Sequence, residues 1–204
     1  MCSMKFSLLF FFTICSAFIG FSQVSRRWTE NDRRYLLDNL ERTKQEVISA
    51  TSSLNAAQWS FREDSTRWSI AQVIEHLGLA ERIFMQEAGI LLMAPPDTSL
   101  KQFLMHDSIY INKQNDPSPN HASWNVEPLG LMNGADNLTF FVFGRDHMMI
   151  FVRETQNDLK VHFTYRAAPE QRRSIHALMV TCFAHTDRHL KQISKIKQAP
   201  NFPK

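Results

Sequence analysis

The chain has 204 residues, 44% hydrophobic and 21% charged, an ordinary globular composition at a length that suits one domain. With the apolar leader at residues 1–22 set aside, Lys5 drops out and 22 basic side chains stand against 20 acidic ones, a net charge of +2. So small a surplus, with no dense Lys/Arg cluster, excludes the electrostatic footprint of nucleic-acid binding.

That leader has Lys5 as its positive region and an almost unbroken apolar run from Phe6 to Phe21. Gly20 and Ser22 then stand three and one positions before a cut at Gln23. The pattern is that of a cleavable secretory signal peptide, and the run is short for a spanning helix. The expected division is therefore a signal peptide at 1–22 and one domain at 23–204, exported to the periplasm or outside the cell with no stable membrane insertion. Two alternatives are an uncleaved membrane anchor and a lipoprotein tethered through Cys15. The second is disfavoured because bulky Ile14 stands where a small residue should precede the lipidated cysteine. Cys2 and Cys15 leave with the leader, so Cys182 has no partner for an internal disulfide and the fold must stand on its core.

Four segments after the leader carry helical periodicity, with no internal repeat. Thr29 is an N-cap candidate followed by Glu30 and Asp32, acids at the positive end of a helix. Leu36, Leu40, Thr43, Val47, Ala50 and Leu54 then recur at helical steps on one stripe. A second helix opens at Ser69 with Gln72 three residues on, a capping box. Its stripe is Ile70, Val73, Leu77, Ala80 and Phe84, and it ends before Pro95-Pro96. From about Pro95 to Met132 the chain is polar and proline-bearing, a crossover expected to wrap one end of the molecule. The third helix is predicted from about Asn133 to Gln156 and is apolar nearly all round, with surface to spare for neighbours or a second copy in a homodimer. The link from Leu159 to Ala168 alternates Val161, Phe163 and Tyr165 and reads as extended. The fourth helix is predicted to start near Pro169, with Arg172 and Arg173 at its solvated beginning, and to stop before Pro200. The expected fold class is all-α, a four-helix bundle with one long crossover loop between helices two and three.

Of eight histidines, His185 and His189 give the sharp signal. Four residues apart on a helix, they point the same way and can grip one metal ion. Thr186 follows His185 where a zinc-protease helix needs Glu, and no Glu-x-x-His occurs, which argues against a di-iron carboxylate bundle. The pair lies on an otherwise apolar stripe, where each unsatisfied polar group costs roughly 1–3 kcal/mol. A third ligand is therefore called for, and His76, at the margin of the second helix's stripe, is the best candidate.

The run Trp68-Ser69-Ile70-Ala71-Gln72-Val73-Ile74-Glu75-His76-Leu77 resembles the second-helix signature of the DinB-like superfamily of bacterial metal-binding bundles. His185-Thr186-Asp187-Arg188-His189-Leu190-Lys191-Gln192-Ile193 is similar to its fourth-helix signature, His-x-x-Arg-His-x-x-Gln-Ile. The resemblance spans residues 30 to 197 and implies a three-histidine site at His76, His185 and His189. It also implies kinship with thiol-dependent transferases and metal-dependent hydrolases. Three neutral imidazoles with an open fourth position are the arrangement of a catalytic metal, which lowers the pKa of bound water towards about 7 or holds a substrate thiolate. Imidazole ligands point to zinc or nickel, with manganese and iron as alternatives.

Around that site, Gln192 stands one turn beyond His189 as a residue to orient a ligand, Cys182 one turn before His185 as a fourth ligand or a small core residue, and His162 as a residue of the site mouth or of a loop. Glu75 and Glu87 are the carboxylates nearest to hand as a base, and Asp187 points off the ligand face into solvent. The expected function is a metal-dependent hydrolase or a thiol-dependent transferase acting on an unidentified small molecule. The alternative is a bundle that binds metal or a partner without turnover.

Overall fold

A computed structural model describes residues 28–116, 118 and 121–204. The signal peptide expected at 1–22, with Cys2 and Cys15, lies outside the described residues. The described part is helical, and none of its helices is long and apolar enough to cross a membrane.

Helix α1 (Glu30–Thr51) starts where the sequence says it should. The Thr29 side chain accepts from the Asp32 amide, and the Asp32 carboxylate accepts from the Thr29 amide. A one-turn helix α2 (Ala56–Ser60), capped by Asn55, follows and seats Trp59 in the core. Helix α3 (Ile70–Met93) carries the Ser69/Gln72 capping box read from the sequence. Helix α5 (Gly134–Glu154) follows Asn133, whose side chain accepts from the Asp136 amide. Between them the crossover forms the short helix α4 (Asp107–Asn115), which lies on the last helix, α6 (Ile175–Lys197).

The α6 start corrects the sequence reading. Pro169 opens only a single 3-10 turn, Pro169–Gln171, and Arg172 and Arg173 precede the helix. The Thr164 amide donates to the Arg173 carbonyl at 2.8 Å, and the Arg173 amide donates to Thr164 Oγ1 at 2.9 Å. These bonds, with an antiparallel bridge between Phe163 and Ser174, hold the chain extended until Ser174 caps α6 by accepting from the Ala177 amide. Phe163 is thus extended as its alternation predicted.

The pairing of α1, α3, α5 and α6 follows from their contacts. α1 packs on α5 and α6, and α3 packs on the same two, so α1 lies across the diagonal from α3, and α5 from α6. Arg33 near the start of α1 donates to carbonyls at the end of α5, Val152 and Arg153, so these two run antiparallel. Ala71 pairs with Asn137 and Glu81 with Arg145, so α3 and α5 run parallel. That is why the crossover is long. After the 24 residues of α3 the chain must return about 36 Å along the bundle before α5 can begin in the same direction. The expected wrapping of the bundle is carried out in part by α4, which the sequence had as loop.

Two apolar clusters fill the core. One gathers Leu36, Leu40, Met148, Val152, Leu178 and Met179, the other Val47, Ile74, Leu77, Phe141, Ile193 and Ile196. Between them lies a buried polar layer centred on Arg145, which is fully buried. Its guanidinium donates to both oxygens of Glu81, to Leu40 O, and to the hydroxyls of Thr43 and Thr186. α5, apolar nearly all round in sequence, carries this charge inward and leaves Phe143 and Ile150 exposed.

Candidate metal centre

His185 and His189 project from one face of α6 towards α3, which crosses it antiparallel and presents His76. The three side chains come together as candidate ligands, their donor atoms all within 4.8 Å of one another. Nε2 of His185 lies 3.1 Å from Nε2 of His76 and 3.0 Å from Nε2 of His189. Two imidazole nitrogens held by one tetrahedral ion sit about 3.3–3.4 Å apart, since each Zn–N bond is about 2.0–2.1 Å. The observed spacings lie a little inside that span.

The outer ring nitrogens are committed. Nδ1 of His76 lies 2.7 Å from Val126 O, and a carbonyl only accepts, so this nitrogen carries the proton. Nδ1 of His189 lies 2.8 Å from Gln192 Oε1 and donates to it in the same way. Each neutral ring then turns an Nε2 lone pair inward. At most one proton, on His185 Nε2, remains to bridge three converging nitrogens. A cation accepted by all three satisfies every lone pair at once, so the donor set fits a divalent ion.

Electrostatics agree. Burial lowers the pKa of all three rings, to about 3 for His189 and well below the usual value for His185, where the neighbouring His189 and His76 push further down. The rings are neutral at pH 7, the form that ligates. His76 and His189 are buried while His185 keeps partial exposure, so the cluster reaches solvent on one side. The Trp68 ring covers His76 at 5.0 Å between centroids, which makes it a wall of the site, and Phe84 stands 6.4 Å from His185.

Other candidates sort themselves. Gln192 lies at the cluster, against the outer nitrogen of His189. Cys182 is not brought to the cluster: its thiol donates to Glu81 Oε1 at 3.2 Å inside the polar layer, and burial beside that carboxylate pushes its pKa up. It sits on the inner side of the α6 stripe, where a residue one turn before His185 meets the core and not the ligand face. His162 is not at the site mouth either. Its Nδ1 donates to Leu91 O at 3.2 Å, and Leu91 lies fifteen residues along α3 from His76, about 22 Å. Asp187 does leave the ligand face, but it pairs with Arg42 at 2.9 Å instead of standing in solvent. Glu75 spends both oxygens on backbone amides of the crossover, Leu129 at 2.9 Å and Gly130 at 2.8 Å.

Sequence reasoning missed the crossover's part in the site. Val126, Leu129 and Gly130 act through backbone atoms, which leave no side-chain signature. The same segment carries exposed apolar side chains, Trp124, Leu129 and Leu131. Arg145, Glu81, Thr43 and Thr186 were missed as a network, although a charge inside an apolar run was the available signal.

With the fold and the cluster in hand, the chain's relatives come into view. A profile of the DinB superfamily matches residues 39–193. Among solved structures, YfiT from Bacillus subtilis, described as a probable metal-dependent hydrolase with an unusual four-helix bundle topology, superimposes with a TM-score of 0.52. The match has 10% sequence identity and covers 86% of this chain and 91% of YfiT, a likeness of fold. No curated protein sequence matches. The chain belongs to the DinB superfamily.

Proposed function

We propose that this DinB-superfamily chain is an exported metal-dependent hydrolase, holding one divalent ion on the Nε2 atoms of His76, His185 and His189 and acting on a small molecule. The observation that carries the reading is the convergence of three Nε2 atoms, two of them obliged to present lone pairs by Val126 O and Gln192 Oε1. When bound, zinc, nickel or a similar ion would supply Lewis acidity, polarising a substrate oxygen and bringing the pKa of water down to about 7.

The chain's own residues do the rest. The three imidazoles bind, neutral because burial disfavours their charged forms. Val126 and Gln192 hold two of the rings in the tautomer that ligates. Trp68 shields His76 from water on one side, and the partial exposure of His185 leaves a way in for substrate. Export rests on the leader sequence.

A second reading, metal binding without turnover, is favoured by one observation. Glu75, the carboxylate adjacent to a ligand in sequence, has both oxygens occupied by backbone amides and is not free to act as a base. The deciding measurement is the metal content of untagged protein beside the His185→Ala, His189→Ala double variant. About one equivalent per chain in the parent and none in the variant is expected. An empty parent that refuses added zinc and nickel ends both metal readings. A metal-loaded parent that turns over no ester, amide or thiol substrate leaves the second.

A further inference from the structure

Residues 75 and 76 are consecutive on α3, so their side chains leave one helical turn about 100° apart and reach the crossover at two places. The His76 ring donates to Val126 O at 2.7 Å. The Glu75 carboxylate, 4% exposed, accepts from the Leu129 amide at 2.9 Å and the Gly130 amide at 2.8 Å. Gly130 has φ +70°, a conformation that favours glycine, at the point where two consecutive N–H groups converge on one carboxylate. Between α4 and α5, no described residue belongs to a helix apart from the turn Trp124–Val126, in which the Val126 amide donates to Ser123 O. The carbonyl that sets the His76 tautomer therefore sits on a segment that Glu75 ties to α3 through two bonds to its backbone.

We propose that Glu75 is the positioning residue of the metal centre: by clamping the crossover at Leu129 and Gly130 it holds Val126 O against His76 Nδ1–H and so keeps Nε2 of that ring turned towards His185. The proposal rests on the metal-centre reading for its consequence and on the clamp geometry for its cause. The charge matters because hydrogen bonds from backbone N–H to a carboxylate are roughly twice as strong as neutral ones. The shape-matched amide of Glu75→Gln keeps one acceptor and sets its own NH2 against the other backbone N–H. The segment then loosens, Val126 O withdraws, and His76 is free to move its proton to Nε2, where it blocks ligation.

The test reads ring tautomers by two-bond 15N–1H NMR on the metal-free, untagged protein, and zinc affinity by competition with a chelator, in wild type, Glu75→Gln and Glu75→Asp. In Glu75→Gln the protected His76 Nδ1 proton is expected to be lost while the His189 Nδ1 proton, held by Gln192, remains. Zinc affinity is expected to fall about 10–100-fold, the usual effect of removing a ligand's outer partner. Glu75→Asp keeps the charge but reaches only one donor, and falls between. A merely structural role for Glu75 lowers Tm in both variants and leaves the His76 proton in place, and retention of that proton in Glu75→Gln overturns the proposal whatever zinc does. If the wild type takes no zinc, the metal reading fails on its own, while the His76 proton still decides the clamp.

Discussion

Burial keeps the His189 ring neutral down to about pH 3 and pushes His76 and His185 in the same direction. That preparation has a measurable consequence in the metal-free protein. An unfolded chain protonates these rings near pH 6.5. The folded chain does not protonate His189 until about pH 3, so between those values the unfolded state binds more protons. Stability present above pH 6.5 is therefore lost on acidification, by up to about 1.4 kcal/mol per pH unit for each ring. Thermal unfolding of the metal-free protein at pH 7 and pH 5 should show a clear drop in Tm, much reduced when His185 and His189 are both replaced by Gln. Equal slopes in the two proteins would mean that the rings are not buried neutral. Gln192 bears on a separate property. Its side chain is partly exposed and accepts from His189, so Gln192→Leu should weaken zinc binding about tenfold or more while hardly moving Tm. A zinc affinity unchanged by Gln192→Leu would remove Gln192 from the site.

The four long helices each give something to the polar layer: Thr43 and Leu40 O from α1, Glu81 from α3, Arg145 from α5, Thr186 and Cys182 from α6. A buried guanidinium at the crossing of four helices is tolerable because every donor has a partner. Removing the anion alone, as in Glu81→Leu, leaves an unpaired buried charge and should cost about 3–5 kcal/mol. For a chain of this size that lowers Tm by roughly 6–20 °C, read by calorimetry. The double variant Glu81→Leu, Arg145→Met removes both charges and should recover most of the loss. If it is no more stable than Glu81→Leu, the layer's contribution lies in packing and not in charge. The close approach of α3 and α5 belongs to the same scale. At Gly144 an added Cβ would meet Glu81 Cβ at 2.9 Å, so the small residue next to Arg145 lets the ion pair form at short range.

At the scale of the molecule, the helices and most of their boundaries were legible along the chain, and the reasons are local. Thr29 with Asp32, Ser69 with Gln72 and Asn133 with Asp136 satisfy helix amides within three residues of themselves, so these starts need no tertiary partner. The His185/His189 pair was legible because helical spacing alone puts both rings on one face, and His76 because an apolar stripe with two imidazoles demands another partner. The start of α6 was misread at Pro169 because the bonds that keep residues 172–174 extended come from Thr164 and Phe163, on the other side of the link. The crossover's contact with His76 and Glu75 was not legible because it is made by carbonyl and amide groups that every sequence possesses.

What the sequence by itself determined is the set of four amphipathic helices, their caps, and the three imidazoles that a cation would join, since each depends on contacts within a few residues or on strict periodicity. Tertiary structure alone decided that α3 and α5 run parallel, which forces the chain to travel the length of the bundle between them and brings Val126, Leu129 and Gly130 to residues 75 and 76. It also decided that Cys182 belongs to Arg145 and Glu81 and not to the histidines. The physical reason is that helix periodicity specifies which face is buried but not which neighbour it meets, and a backbone carbonyl becomes a tautomer-setting acceptor only when the packing of distant segments carries it to a ring.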